Sequence, residues 1–263
     1  MSEATGNAAN TLPHSTPGRH YRYYDLCLAG FVTVLLCSNL IGPGKSCAVD
    51  LGAKVVPGWT DQGLAWSTLL VFGAGNIFFP ISYIFGDVLT EVYGYARARK
   101  VIWAGFAAMI FATVMSYVVI RLPLNPDEPY NKIIQPALET VFGNTWRIVA
   151  ASILAFWVGD FVNSYVLAKM KVWTGGRMLW TRTIGSTICG QGVDSLLFYP
   201  IAFAGLWDAN TLIKVSIFNW LFKVGIEVVF TPVTYLVVNA LKRAEDEDFY
   251  DRNTNFTPFS LKD

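Results

Sequence analysis

Histidine is nearly missing from this sequence. Its two copies, His14 and His20, lie in the N-terminal tail, so no imidazole is available inside the apolar segments for a proton relay or for metal ligation. Cysteine is also scarce. Cys27, Cys37, Cys47 and Cys189 form no C-x-x-C pair and no metal-ligand spacing, so neither a zinc site nor a disulfide framework is indicated. They read as small buried apolar residues, and no metal or cofactor is expected. Charge is sparse: 15% of residues are charged, against about 25% in a soluble domain. The net charge of +1 offers no basic surface, which argues against nucleic acid as a partner. No G-x-x-x-x-G-K-[ST] loop occurs, so the chain is not expected to hydrolyse ATP itself. The G-x-G-D pattern of intramembrane aspartyl proteases is missing as well. Ile84 and Trp157 stand where its first glycine would precede Gly86-Asp87 and Gly159-Asp160, so an enzyme is not expected.

Apolar residues are abundant. They make up 53% of the 263 residues, and the mean hydropathy is +0.40. The expected fold class is all-α: a polytopic membrane protein with a bundle of six transmembrane helices. Residues 1–22 read as a disordered polar tail without the apolar core of a cleavable signal, 23–243 as the six-helix domain, and 244–263 as an acidic, flexible tail. The expected spans are 24–42, 66–91, 101–121, 146–168, 182–205 and 213–240, each near the roughly 20 residues a crossing needs. The second and sixth are long enough to tilt or break. Pro80, Pro200 and Pro232 fall within spans, where neighbours must satisfy the lost backbone bond. Val101 to Ile120 carries no charge and should face lipid on one side. The loop 122–145 is long enough for a cap or a short interfacial helix, and the loop 43–65 carries Lys45, Lys54, Asp50 and Asp61.

Lysine and arginine set the orientation. Arg97, Arg99 and Lys100, then Lys169, Lys171, Arg177 and Arg182, then Lys242 and Arg243 all fall on the side of the N-terminus. They outnumber Lys45, Lys54, Arg121, Lys132, Arg147 and Lys214 on the other side, so both termini are expected in the cytoplasm.

Polar residues inside the spans recur at helical spacing. Asp87, Thr90 and Glu91 share one face, as do Asp160, Asn163 and Ser164; Gln191 and Asp194; and Asn219, Lys223 and Glu227, with Asn39 from the first span. Such faces on five helices should meet one another around a polar cavity, because facing lipid is costly. Plainer roles compete. Lys223 and Glu227 could form an i,i+4 ion pair. Asp87 and Glu91 could pair with Arg97, Arg99 or a basic residue of the Lys169–Arg182 loop. Asn39, Asn163 and Gln191 could be interhelical hydrogen-bond glue. Tyr83, Trp157, Phe161 and Phe198 could be packing alone. A cavity of acids, amides and aromatics with one lysine suits a small planar solute, neutral or cationic, and suits an anion poorly.

The stretch Asn76 to Lys100 carries a resemblance. Phe79, Pro80, Tyr83, Asp87, Glu91, Tyr93, Gly94, Tyr95 and Arg99 fill the pattern F-P-[IT]-x-Y-[IL]-x-x-D-x-x-x-E-x-Y-G-[YF]-x-x-[AS]-R. It resembles the signature of the queuosine-precursor transporter family, also described as vitamin uptake proteins. The blocks Gly159 to Gln191 and Lys223 to Lys242 fit too, so the resemblance covers roughly residues 24–243. It implies an importer of 7-cyano-7-deazaguanine or 7-aminomethyl-7-deazaguanine in the bacterial inner membrane. The implied partners are a small planar heterocycle and membrane lipid, with a homo-oligomer left open. The expected substrate-binding or coupling residues are Asn39, Tyr83, Asp87, Glu91, Asp160, Asn163, Gln191, Asp194, Phe198, Lys223 and Glu227. The expected mechanism is secondary or facilitated transport, with a carboxylate such as Asp194 or Glu227 carrying a proton. The alternative is a substrate-binding membrane subunit of an energy-coupling complex.

Overall fold

The structure is a computed structural model and describes residues 20–40, 46–50, 69–73, 77–143, 146–206 and 208–260. The readings for the tail before residue 20 and for Lys45, Lys54 and Asp61 lie outside these residues. The helices are α1 (Tyr24–Leu40), α2 (Phe79–Tyr93), α3 (Tyr95–Arg121), α4 (Asn131–Phe142), α5 (Trp146–Trp173), α6 (Leu179–Phe203) and α7 (Ala209–Glu245). Strands β1 (Ser46–Asp50) and β2 (Leu69–Gly73) pair antiparallel, with Ser46 opposite Gly73 and Asp50 opposite Leu69.

Among the described residues, three helices are long and apolar enough to cross a membrane: α3, α5 from Arg147 and α7 from Leu212; α1 is a shorter apolar helix. The chain is a multi-pass, α-helical membrane protein. α7 has 37 residues, about 55 Å at a rise of about 1.5 Å per residue. It therefore outruns a hydrocarbon core of about 30 Å. α3 buries Val101, Ile102, Gly105 and Met109 near its start and exposes Phe111, Val114 and Val118 further along, the one-sided surface expected of an uncharged span. α4 fills part of the loop 122–145 and buries none of its residues.

The second span departs from the sequence reading. A helix is expected from residue 66, but Leu69–Gly73 is a strand and α2 starts at Phe79. An apolar run as short as Leu69-Leu70-Val71-Phe72 has no period to separate helix from strand. Pro80 consequently falls in the first turn of α2 rather than inside a span. There its missing N–H would have had no helical partner anyway. α2 ends at Gly94, whose φ of 85° turns the chain directly into α3. The Phe249 ring occupies the space a Cβ at Gly94 would need.

α5 and α6 share the most extensive helix contact in the fold. Glycine permits it. A Cβ on Gly190 would stand 2.7 Å from the Asn163 Cβ and 2.9 Å from the Gly159 carbonyl oxygen. A Cβ on Gly159 would stand 3.0 Å from the Asp194 Cβ. With the two backbones this close, Asp160 and Asn163 of α5 are brought beside Gln191 and Asp194 of α6.

The segment 246–260 is read from the sequence as solvated and flexible, but it lies as a strap across one end of the bundle. Glu247 and Asp251 are buried. Asp251 accepts the Tyr95 N–H with both oxygens at 3.1 Å. The Arg99 Nη1 donates to the carbonyls of Asn255 and Thr257, each at 2.7 Å, and Trp103 Nε1 donates to the Pro258 carbonyl at 2.8 Å. Phe259 packs on Trp103 and Trp157. The strap also reaches the N-terminal segment, where the Tyr21 hydroxyl donates to Glu247 at 2.9 Å. Tyr21 itself is buried, so the expected disordered tail does not extend through residue 22.

Candidate functional site

A cavity of ≈ 270 Å³ lies between α1, α2, α5, α6 and α7. Ligand pockets run from about 300 to 1,000 Å³, so this one suits a small solute. Of the expected residues, Asn39, Tyr83, Asp160, Asn163, Gln191, Asp194, Phe198 and Lys223 line it. Asp87, Glu91 and Glu227 do not.

The charged groups of the cavity are paired unevenly. Lys223, one helical turn from Glu227, reaches across to α6, donating to Asp194 at 2.6 Å and to the Gln191 side-chain oxygen at 2.9 Å. Asn39 donates to the Leu35 carbonyl at 2.9 Å and accepts a 3.4 Å contact from the Ser152 hydroxyl. Phe31, Phe156, Phe198 and Tyr199 supply aromatic wall. Ser38, Ser82, Ser152, Tyr199 and Asn219 also line the cavity and are absent from the expected set. Helical spacing could have found several of them. Ser152 stands eight residues before Asp160, on the same face, and Asn219, four before Lys223, is already placed by its spacing on the polar face of that span.

Asp87 and Glu227 lie beside each other in the protein interior, with Asn163 next to Asp87. They are 0% and 1% exposed. Neither Asp87 oxygen, nor Oε1 of Glu227, meets a well-aligned donor among the described residues.

Glu91, one turn beyond Asp87, belongs to an ion cluster. Arg182 grips it with two bonds, Nε to Oε2 at 2.8 Å and Nη2 to Oε1 at 2.7 Å. Lys242 reaches Oε1 at 2.6 Å, and Lys171 lies 3.4 Å from it while donating to the Glu91 carbonyl at 2.5 Å. Asp248 of the strap bridges Lys171 and Lys242 at 2.6 and 2.7 Å. One cluster thus ties α2, α5, α6 and α7 to the strap, and it includes the pairing of Glu91 with the Lys169–Arg182 segment. Arg99, read as part of an orientation signal, is fully buried and holds the strap.

The sequence has clear relatives. Residues 73–237 match the family model described as "putative vitamin uptake transporter". The chain is 34% identical over 163 residues to the "probable queuosine precursor transporter" of Bacillus subtilis (strain 168), covering 61% of this chain and 69% of the relative. It is 28% identical over 179 residues to the "queuosine precursor transporter" of Escherichia coli (strain K12), covering 66% and 76%. It is 27% identical over 177 residues to a similarly named protein of Haemophilus influenzae, covering 64% and 69%. No solved structure matches it. A polar cavity among apolar helices and a family match across α2 to α7 lead to one conclusion: the chain belongs to the vitamin uptake transporter family.

Proposed function

We propose that this chain imports queuosine precursors, 7-cyano-7-deazaguanine, 7-aminomethyl-7-deazaguanine or both, across the bacterial inner membrane. It does so without catalysing a reaction. The supporting observation is the cavity of ≈ 270 Å³, which joins amides, carboxylates and aromatic rings from five helices. Aromatic faces stack a flat ring, and carboxylate and amide oxygens accept from the N–H edge of a guanine-like base. In this reading α1, α2, α3, α5, α6 and α7 are the six spans and both termini face the cytoplasm. The ligand and coupling residues remain the eleven expected from the sequence, divided by position. Asn39, Tyr83, Asp160, Asn163, Gln191, Asp194, Phe198 and Lys223 serve the ligand. Asp87 and Glu227 are the coupling pair. Glu91 closes the inner end through its ion cluster.

The test is precursor rescue. Bacteria that can neither make nor import the precursors, but still modify tRNA, would express this chain and receive each precursor at a transport-limiting concentration. Queuosine in tRNA should be restored by this chain alone. It should be lost in Asp194→Asn at unchanged membrane levels. Glu227→Gln should retain downhill uptake and lose the part driven by a pH gradient. No rescue by well-inserted protein would defeat the proposal. Rescue only with added partner subunits would make the chain a component of an energy-coupling complex.

A further inference from the structure

The charges of the cavity do not balance. Asp160 and Asp194 are its carboxylates and Lys223 its cation. Lys223 is committed to Asp194 and Gln191, at 2.6 and 2.9 Å. Asp160 faces the cavity with Asp194 and Lys223 as its charged neighbours, and it forms no hydrogen bond or ion pair among the described residues.

A second unmet acceptor lies beside it. Asn163, three residues on along α5 and therefore on the same face, lines the cavity and is 7% exposed. Its Oδ1 is buried and has no hydrogen-bond partner among the described residues. The amide lies next to the Asp87 carboxyl, whose oxygens take no well-aligned donor from it or from any other described residue. The amide oxygen is left for something else. A carboxylate and an amide oxygen one turn apart form a site for a group rich in donors. A primary ammonium carries three N–H donors and the missing positive charge.

We propose that Asp160 and Asn163 form an ammonium subsite. It would make the cavity select planar heterocycles that bear an exocyclic primary amine over neutral ones of the same shape. This rests on the reading of the cavity as the ligand site and deepens it from a heterocycle to a cationic heterocycle. Lys223 contributes indirectly. By holding Asp194, it leaves Asp160 as the carboxylate open to the ligand.

The experiment is calorimetric or thermal-shift titration of the purified full chain with two matched pairs. The first pair is 7-aminomethyl-7-deazaguanine against 7-cyano-7-deazaguanine. The second is benzylamine against benzonitrile, at higher concentration. The amine of each pair should bind at least about tenfold tighter, as expected for one charge-assisted contact. Asp160→Asn should erase that preference mainly by weakening the amine. Cyano binding should change less than about threefold, since a neutral ligand gains little from the carboxylate. Equal or tighter binding of the neutral partner by the wild-type chain would overturn the subsite, whatever the variant does. So would a variant that weakens both members of a pair alike while its ligand-free melting temperature holds. If the benzylamine preference is present and depends on Asp160 but neither deazaguanine binds, the subsite stands and the queuosine-precursor reading falls.

Discussion

Arg182 on α6 holds Glu91 on α2 with both arms of its guanidinium, at 2.7 and 2.8 Å, in a site where the two side chains are 2% and 0% exposed. Removing one partner of a buried pair leaves the others charged and unmatched. Glu91→Gln strands Arg182 and leaves Lys171 and Lys242 to share Asp248 alone, and should cost about 3–5 kcal/mol. Arg182→Lys keeps the charge but loses the two-pronged geometry and should cost less. Thermal unfolding in detergent, followed by tryptophan fluorescence, should rank wild type above Arg182→Lys and Arg182→Lys above Glu91→Gln. Equal melting temperatures would remove the cluster from the list of structural supports.

Gly94 meets two demands at once, a φ of 85° and the ring of Phe249. Gly94→Ala should cost about 1–3 kcal/mol for the backbone alone, because φ 85° with ψ 165° is a conformation essentially reserved for glycine, with a further penalty for displacing the ring. Combining it with Phe249→Ala should recover the second part and leave the first, so the double mutant should be less destabilised than the sum of the singles. Strict additivity in a thermal-stability cycle would mean the ring moves aside freely.

The close approach of α5 and α6 predicts that Gly190→Ala is felt at the cavity as well as in stability. The new methyl meets Asn163 and the Gly159 carbonyl, one of them backbone, so the helices must separate. A loss of about 1–3 kcal/mol is expected for such overpacking, together with weaker ligand binding. Gly225, with nothing within 4 Å of the same added atom, is the control, and Gly225→Ala should leave ligand binding unchanged and hold or raise stability.

The strap should respond to pH through opposing acids. Burial pushes the Asp248 carboxyl up, but Lys171 and Lys242 together hold it below the usual carboxylate range. Such a group stabilises above its unfolded value, about 3.9, and loses that contribution as pH falls through its folded value. Burial raises Asp251 in spite of the hydrogen bonds from Thr254 and the Tyr95 N–H, so its charge costs stability at neutral pH and the cost disappears on acidification. Amide protection over 246–260, corrected for intrinsic exchange, should therefore hold or rise from about pH 7 to 5 and fall below about pH 4. In Asp248→Asn the fall at low pH should be missing. A steady loss of protection beginning near neutrality would contradict this assignment.

Much of the cavity was legible because helical spacing survives in a membrane span. Asp160 with Asn163, and Gln191 with Asp194, share faces by arithmetic alone, and the cost of turning those faces to lipid sends them inward. Depth and partnership were not legible. Lys223 lies four residues before Glu227 and also across from Asp194, and only the spacing of α6 from α7 brings the latter within 2.6 Å. The strap was hidden for a different reason. Glu-Asp-Glu-Asp reads as solvated by composition, yet its anchors, Lys171 and the Tyr95 amide, lie 77 and 156 positions upstream of the acids they meet. The strand at Leu69–Gly73 was hidden by its shortness.

The strap also fixes an order of events during synthesis and assembly. Its receiving surface is composite: the Tyr95 amide at the start of α3, Arg99 and Trp103 further along it, Lys171 near the end of α5 and Lys242 near the end of α7. None of these pieces alone offers both the carbonyl-binding guanidinium and the paired lysines. Bringing together contacts so distant in sequence carries a loop-closure cost that only neighbouring helices already in place can offset. Docking of residues 246–260 is therefore a completion signal. Proteolytic sensitivity there should distinguish a finished bundle from one in which a helix is still misplaced.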